Sequence, residues 1–422
     1  MTNPNRLTWL REQVRALYDR NRQKGYAAWC DREYDFVCPS QETYPFQWFW
    51  DSCFHAIAMS HVDLERAKSE VRCLLAHIHD DGFISHVIFW QREHFEEMLK
   101  TYAIAYRTPH LSDCMQPPVL GEAIDAVVRA GGGLEFAKEV APAAKRYYEW
   151  LDRVRDPDQD GLIATLQSDE SGLDHTPKYD AYRGIEGSTM ADHDRAWKEV
   201  ADAYDAVGRD SEKMFALDKF VVEDVLVNVI YAEGQRVLAK LLGDIGDDVG
   251  AQQLRDRADR TGRAILNKCY DPATGLFFDL AGKEEEMLRV STVSSLMPLM
   301  LPELPADRAK KLAEAIEDPK QFGARFPVPS VSMAEPSFVP GYLEKLVWRG
   351  PTWNNTNWYI ARGLRRHGFE TLAVRVEDAS VDLIEKSGFR EYYNPETGEG
   401  FGAPDFSWSA VALDSLAARE ST

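Results

Sequence analysis

The chain has 422 residues and is 44% hydrophobic, enough apolar material for a large core and too much for a disordered chain. A formal net charge of −20 excludes a surface built for nucleic acid or anionic membrane, both of which need a basic face, and suits a neutral or small substrate. The 6 cysteines include no CxxC pair, so their spacing suggests neither a zinc site nor a disulfide framework.

The N-terminal stretch MTNPNRLTWLREQVRALYDRN lacks an apolar signal core, and no segment is long enough to span a membrane. A cytoplasmic protein is expected. Helical periodicity then recurs along the chain. Leu64, Ala67, Val71, Leu74, Leu75 and Ile78 share one face, and Phe136, Val140, Ala144, Tyr147, Leu151 and Val154 make a second stripe. Val222, Val225, Leu226, Val229, Val237, Leu238 and Leu241 make a third, and further helices fit 249–269, 306–317, 354–367, 368–386 and 408–418. Strand-like alternation is scarce. The expectation is an all-α fold in one catalytic domain over 1–422, with cap-forming loops or a small insertion around 167–220.

Chemistry-bearing residues fall in the segments between the helices, where a rigid scaffold presents function. In YPFQWFWDSCFHA, Asp51 follows a run of aromatics that includes Trp48 and Trp50 and leads into a helix. There it either grips sugar hydroxyls beside the rings or completes the helix dipole. AGGGLEF at 130–136 reads as a helix break. DPDQDG at 156–161 has alternating acids like the start of a calcium loop, but LIATLQ follows where the rest of that loop and its terminal Glu belong, so a turn is expected and no metal.

QSDESGLDHTPKYDAY at 167–182 carries Asp169, Glu170, Asp174 and Asp180 among turn formers. An acid held there in a partly desolvated pocket would keep its proton and could donate it to a leaving oxygen; a solvated acidic loop is the alternative. VWRGPTWNNTNWYIARGL at 347–364 sets Trp348, Arg349, Trp353 and Asn354 together, as sugar recognition or as a helix start with an aromatic packing face. YYNPETGEGFGAPDFSWSA at 392–410 has turn chemistry around Glu399, which either reaches into a cavity or lies on a surface hairpin.

FWDSCF at 49–54, MQPP at 115–118, ESGLD at 170–174, WRGPTWNNTNW at 348–358 and GEGFGAPDFSWSA at 398–410 follow one another in an order that resembles glycoside hydrolase family 63. That family holds processing α-glucosidases and bacterial mannosylglycerate and glucosylglycerate hydrolases, and its motif order is similar to that of the trehalases. The resemblance implies an (α/α)6 toroid and an inverting mechanism without a cofactor. It puts the general acid on Asp174, with Asp180 second. It puts the general base on Glu399, with Glu396 and Glu391 as runners-up. Trp48, Trp50, Asp51, Gln116, Trp348, Arg349, Trp353 and Asn354 would bind the sugar. Val347 stands where the family usually has an aromatic before WRGP.

The compact chain resembles the stand-alone hydrolases of glycosides of glycerate. A carboxylate aglycone calls for an arginine, and Arg183, Arg209 and Arg325 are the candidates. The expected partner is thus a small carbohydrate, with no nucleic acid and no membrane, and a homo-oligomer is left open. An α-glucosidase acting on short oligosaccharides is the second reading. A catalytically silent carbohydrate-binding protein would need neither acid nor base, and a metal-dependent isomerase would need clustered histidines.

Overall fold

The protein is described by a computed structural model covering residues 4–99, 105–187, 189–343 and 346–419. Met1–Asn3 of the N-terminal stretch, and residue 188 within the expected 167–220 cap, lie outside the described residues. The chain divides into two compact units, one made of Met1–Trp150, Gly234–Arg255 and Ala403–Thr422, the other of Leu151–Glu233 and Asp256–Gly402. Long helices cover Gly133–Arg155, Val225–Asp244 and Asp248–Lys268.

In the first unit the helix Phe49–Met59 is buried along its whole length. A sequence as apolar as FWDSCFHAIAM, with Asp51 confined to the first turn, has no face to offer water. It packs against the helices Leu64–Leu75 and Leu120–Val127. Leu64–Leu75 starts where the Asp63 side chain accepts the Arg66 N–H (3.2 Å), and it buries Ala67, Val71 and Leu74, the stripe read from its periodicity. Gly121 lets Leu120–Val127 meet the helix Val225–Asp244 backbone to backbone, since a Cβ there would lie 2.3 Å from the Gly234 carbonyl oxygen. The expected break at AGGGLEF is a turn in which Gly131 takes φ +116° before the helix Gly133–Arg155.

In the second unit the helices Asn354–Arg366 and Glu370–Ser387 pack on each other as a hairpin closed by Gly368 at φ +80°. The first of them also packs on the 3-10 helix Val293–Met300, where Gly363 leaves room for Leu299. A small antiparallel sheet orders the strands Glu286–Leu288, Asp279–Ala281 and Val222–Glu223.

The helix-rich expectation holds, but "all-α" needs correction. Short antiparallel sheets recur, among them a hairpin pairing Arg22–Ala27 with Arg32–Val37. Tyr34 and Phe36 point inward from it, which is strand alternation over too few residues to stand out in the sequence. Tertiary contacts complete it: Ser69 Oγ donates to the Asp35 carbonyl (2.8 Å), and the Glu70 carboxylate accepts the Val37 N–H (2.8 Å). Among the described residues, no helix is long and apolar enough to cross a membrane.

Candidate active site

The segment 167–183 is built around a fixed stem and a presented acid. Glu170 of ESGLD is fully buried and meets Arg155 through two parallel hydrogen bonds of 2.6 Å, while also accepting the Leu166 N–H (2.7 Å). Such a fork-to-fork pair fixes both position and orientation. Ser171 donates to the Ser168 carbonyl (2.7 Å) and accepts the Leu173 N–H (3.1 Å), and Gly172 turns the chain at φ +71°. Asp174 emerges from this stem half-buried.

Burial pushes the Asp174 carboxyl well above the usual carboxylate range, and the negative charges of Asp169 and Glu391 push it further. Among the described residues, no cation is among the groups acting on it. Desolvation and like charge both favour the protonated form, the condition for a general acid at neutral pH. Asp169 accepts from Trp197 Nε1 (3.0 Å) and Ser168 Oγ (3.2 Å); burial raises its carboxyl too, against the pull of Arg183.

Glu391 is buried on the short strand Arg390–Tyr393. Its carboxylate packs over Gly402, where a Cβ would stand 2.4 Å from Glu391 Oε2, and Gly402 has φ +67°. The glycine-rich segment therefore makes room for Glu391. Glu399 itself is exposed on the turn, its backbone N–H donating to Thr397 Oγ1 (3.2 Å) and its carbonyl accepting the Asn394 N–H (2.8 Å). The turn chemistry of NPETGEG was legible, but the turn sends the Glu399 side chain to solvent. Glu396 is exposed as well, so of the three glutamates considered for the base only Glu391 is buried. Asp169 and Glu391 are the residues that motif reading passed over or ranked low. The signal for Glu391 was its place beside Tyr392 and Tyr393 in a strand with three consecutive buried positions.

The WRGPTWNN segment forms the other wall of this group. Trp348 takes φ +64° and stacks on Trp353, with ring centroids 3.7 Å apart and planes 7° apart; Trp353 in turn meets Tyr392 at 4.7 Å. Gly350 is obligatory here, because at φ +148° a Cβ would be 2.4 Å from the Val339 carbonyl oxygen. Arg349 is buried and grips Asp180 with both terminal nitrogens (2.7 and 3.3 Å) while donating to the His175 carbonyl (3.0 Å). Burial raises the Asp180 carboxyl, and Arg349 and Arg183 pull against that rise. His175 and His193 meet edge to face at 5.3 Å, and burial holds them down at about 3 and about 4, so both rings are neutral near pH 7. Asn354 is buried with neither polar atom of its side chain bonded to protein. Of the arginines considered for an acidic aglycone, Arg183 lies in the field of Asp169 and Asp180, Arg209 pairs with Asp205 (2.6 Å), and Arg325 is exposed over the Phe326 ring.

In the other unit, Trp48 precedes the buried helix carrying Trp50 and Asp51, and the Gln116 side chain accepts the Trp50 N–H (3.1 Å). Trp50 meets Trp408 edge to face at 5.2 Å, and Trp48 meets Tyr44 at 5.9 Å. The FWDSCF, MQPP and FSWSA motifs are thus brought together, with Asp51 among them and buried.

Residues 44–409 match the model of the mannosylglycerate hydrolase MGH1-like glycoside hydrolase domain. The chain belongs to this family of glycoside hydrolases. A mannosylglycerate hydrolase of Thermus thermophilus is 31% identical over 404 residues, covering 89% of this chain and 95% of the relative. A glucosylglycerate hydrolase of Mycolicibacterium hassiacum is 28% identical over 420 residues, covering 88% and 91%. A crystal structure of a family 63 mannosylglycerate hydrolase from Thermus thermophilus in complex with Tris and D-glycerate has 28% identity and a TM-score of 0.82, covering 96% of this chain and 99% of that one. The protein is a family 63 glycosidase, helix-rich with small sheets.

Proposed function

We propose that this glycosidase is an inverting exo-enzyme for small α-glycosides of glycerate, mannosylglycerate or glucosylglycerate. The observation that carries the reading is the carboxyl of Asp174, raised by burial and by the charges of Asp169 and Glu391. Asp174 is the general acid that protonates the glycosidic oxygen as the bond to the anomeric carbon breaks. Glu391, in place of Glu399, is the base that takes a proton from the attacking water. Inversion needs roughly 6.5–9.5 Å between the two carboxyl groups so that the water fits.

Trp348 and Trp353 form a buried aromatic stack beside Asn354, whose side chain has donor and acceptor capacity not used by protein. Arg349 holds Asp180 and so shapes the pocket. Arg183 is the cation proposed for the glycerate carboxylate, since it is a largely buried guanidinium in the same segment as Asp174. Sugar-binding roles for Trp48, Trp50, Asp51 and Gln116 rest on motif order alone. The six-hairpin toroid and the single catalytic domain over 1–422 belong to the same proposal, supported by the names and coverage of the relatives.

The test is sugar release from mannosylglycerate, glucosylglycerate, kojibiose, nigerose, maltose and trehalose, with NMR following the anomer formed. Glycerate glycosides are expected to be cleaved fastest, with the β-anomer appearing first. Preference for a disaccharide would transfer the protein to the oligosaccharide glucosidases. The α-anomer appearing first would overturn inversion.

A further inference from the structure

Asp174 stands midway between two buried ionic anchors, each four residues away along the chain. The first is Glu170, held by Arg155. The second is Lys178 in the 3-10 helix Pro177–Tyr179, whose partners come from elsewhere in the same compact unit. Its Nζ lies 2.5 Å from Asp224 Oδ2 and 2.8 Å from Asp279 Oδ2, and it donates to Ser294 Oγ (2.8 Å). The side chain is 1% exposed. Burial works against the charge of this ammonium, but Asp224 and Asp279 outweigh it and hold Lys178 above its ordinary range.

Each partner is itself fixed. Asp224 caps the helix Val225–Asp244, its Oδ1 accepting the Val227 N–H (3.1 Å). Asp279, on the strand Asp279–Ala281, accepts the Val225 N–H (2.7 Å) with its own Oδ1. The two carboxylates thus hold the helix start with one oxygen each and Lys178 with the other. Ser294 lies in the 3-10 helix Val293–Met300, whose Val293 N–H donates to the Ser330 carbonyl (2.9 Å).

From Ser330 the connection runs on to the WRGPT wall and to the strand of Glu391. The Ser330 N–H donates to the Pro351 carbonyl (2.9 Å), and Ser330 Oγ accepts the Gly350 N–H (3.0 Å). Next to Gly350, Arg349 returns to the acid segment through Asp180 and the His175 carbonyl. Thr352 exchanges backbone hydrogen bonds of 2.8 and 3.0 Å with Tyr393, on the strand that carries Glu391. The acid segment is therefore tied to this wall at Asp180 by Arg349 and at Ser294 by Lys178. One tie would let the segment swivel; two fix its orientation. Little slack remains between Asp174 and Lys178, because the Thr176 N–H closes a turn on the Leu173 carbonyl (2.9 Å) and Pro177 follows.

We propose that Lys178 is a positioning residue for this glycosidase, holding the segment of Asp174 so that the acid faces the leaving oxygen opposite Glu391. The proposal rests on the roles given above to Asp174 and Glu391. A displacement of about 1 Å at a reacting group can cost about 10²-fold in rate. The experiment measures kcat and KM of the full chain on two substrates, the glycoside of the series above that is cleaved fastest and the α-fluoride of the same sugar. Fluoride leaves without a proton, so its hydrolysis needs the base but not a placed acid. Glu391 keeps its own support through Thr352, which does not pass through Lys178. Lys178→Met is expected to lose about 10²-fold in kcat on the glycoside, with KM within about threefold, and at most about threefold in kcat on the fluoride. Ser294→Ala keeps both ion pairs and hence the fold; it is expected to lose about 5–10-fold on the glycoside and nothing on the fluoride. Equal losses on the two substrates would overturn the proposal, since a merely structural ion pair slows both. Unchanged glycoside turnover in Lys178→Met, or in Ser294→Ala where Lys178→Met does not fold, would overturn it as well. Asp174→Asn is the reference and should show the same split between substrates. If it slowed both equally, the acid role of Asp174 would fall and the proposal with it, whatever the Lys178 variants do.

Discussion

Glu170 and Asp174 stand four residues apart in ESGLD, yet the protein treats their charges in opposite ways. Glu170 is buried against Arg155 in a doubly hydrogen-bonded pair. Asp174 is raised by burial and by two negative neighbours, with no cation among the described residues acting on it. The same contrast recurs nearby. Lys178 is fully buried between Asp224 (2.5 Å) and Asp279 (2.8 Å), with Ser294 as a further acceptor (2.8 Å). Compensated acids make the frame of this region, and an uncompensated acid is what the frame presents. Burial alone marks neither role; the charge balance around the carboxyl separates them.

The largest expected effect breaks the uncompensated side. Asp174→Asn and Glu391→Gln are each expected to lower turnover by about 10²–10⁴-fold, the usual share of a positioned acid or base. Glu399→Gln should stay near the unmodified rate, and a reversed result for the two glutamates would return the base to the exposed turn. Stability should move the other way. Because the folded Asp174 carboxyl sits above its unfolded value, its contribution is present at low pH and is lost as pH rises through the folded value. At neutral pH and above, the asparagine variant should therefore melt no lower than the unmodified protein, as thermal melts across a pH series would check.

The next effect breaks the compensated side. Arg155→Met leaves Glu170 buried without its partner and is expected to cost about 3–5 kcal/mol, read as a shift in denaturant midpoint. Adding Glu170→Met should recover much of that loss, since two apolar side chains leave no stranded charge. If the double variant were as unstable as the single one, the pair would be holding geometry that packing cannot replace.

The smallest effect sharpens the comparison. Asp169 acts on Asp174 as a negative charge and raises its carboxyl. Asp169→Asn should therefore lower that value and move the alkaline limb of the kcat/KM profile to lower pH. A uniform loss of rate with an unmoved limb would reduce Asp169 to a support for Trp197 and Ser168.

Local sequence carried a good part of this. The stripe in 64–75 and the helices at 306–317, 354–367 and 368–386 follow from periodicity, because apolar spacing at 3.6 residues is a property of the chain itself. The hairpin Arg22–Val37 was not legible, because its inward face is only Tyr34, Phe36 and their neighbours, and its hydrogen bonds are completed by Ser69 and Glu70. Asp174 stood out by motif. Glu391 did not, since nothing in REYYNP says that Gly402 will clear space for its carboxylate.

The sequence by itself determined the helical periodicity, the turn at NPETGEG, the family motifs and the acidic character of the segment holding Asp174. Tertiary structure decided which acids are neutralised and which are not. Arg155 reaches Glu170, Arg349 reaches Asp180 across 169 positions, and Lys268 reaches Asp160 across 108. A carboxyl's proton affinity depends on burial and on charges within a few ångströms, and the chain brings those charges together only when it folds.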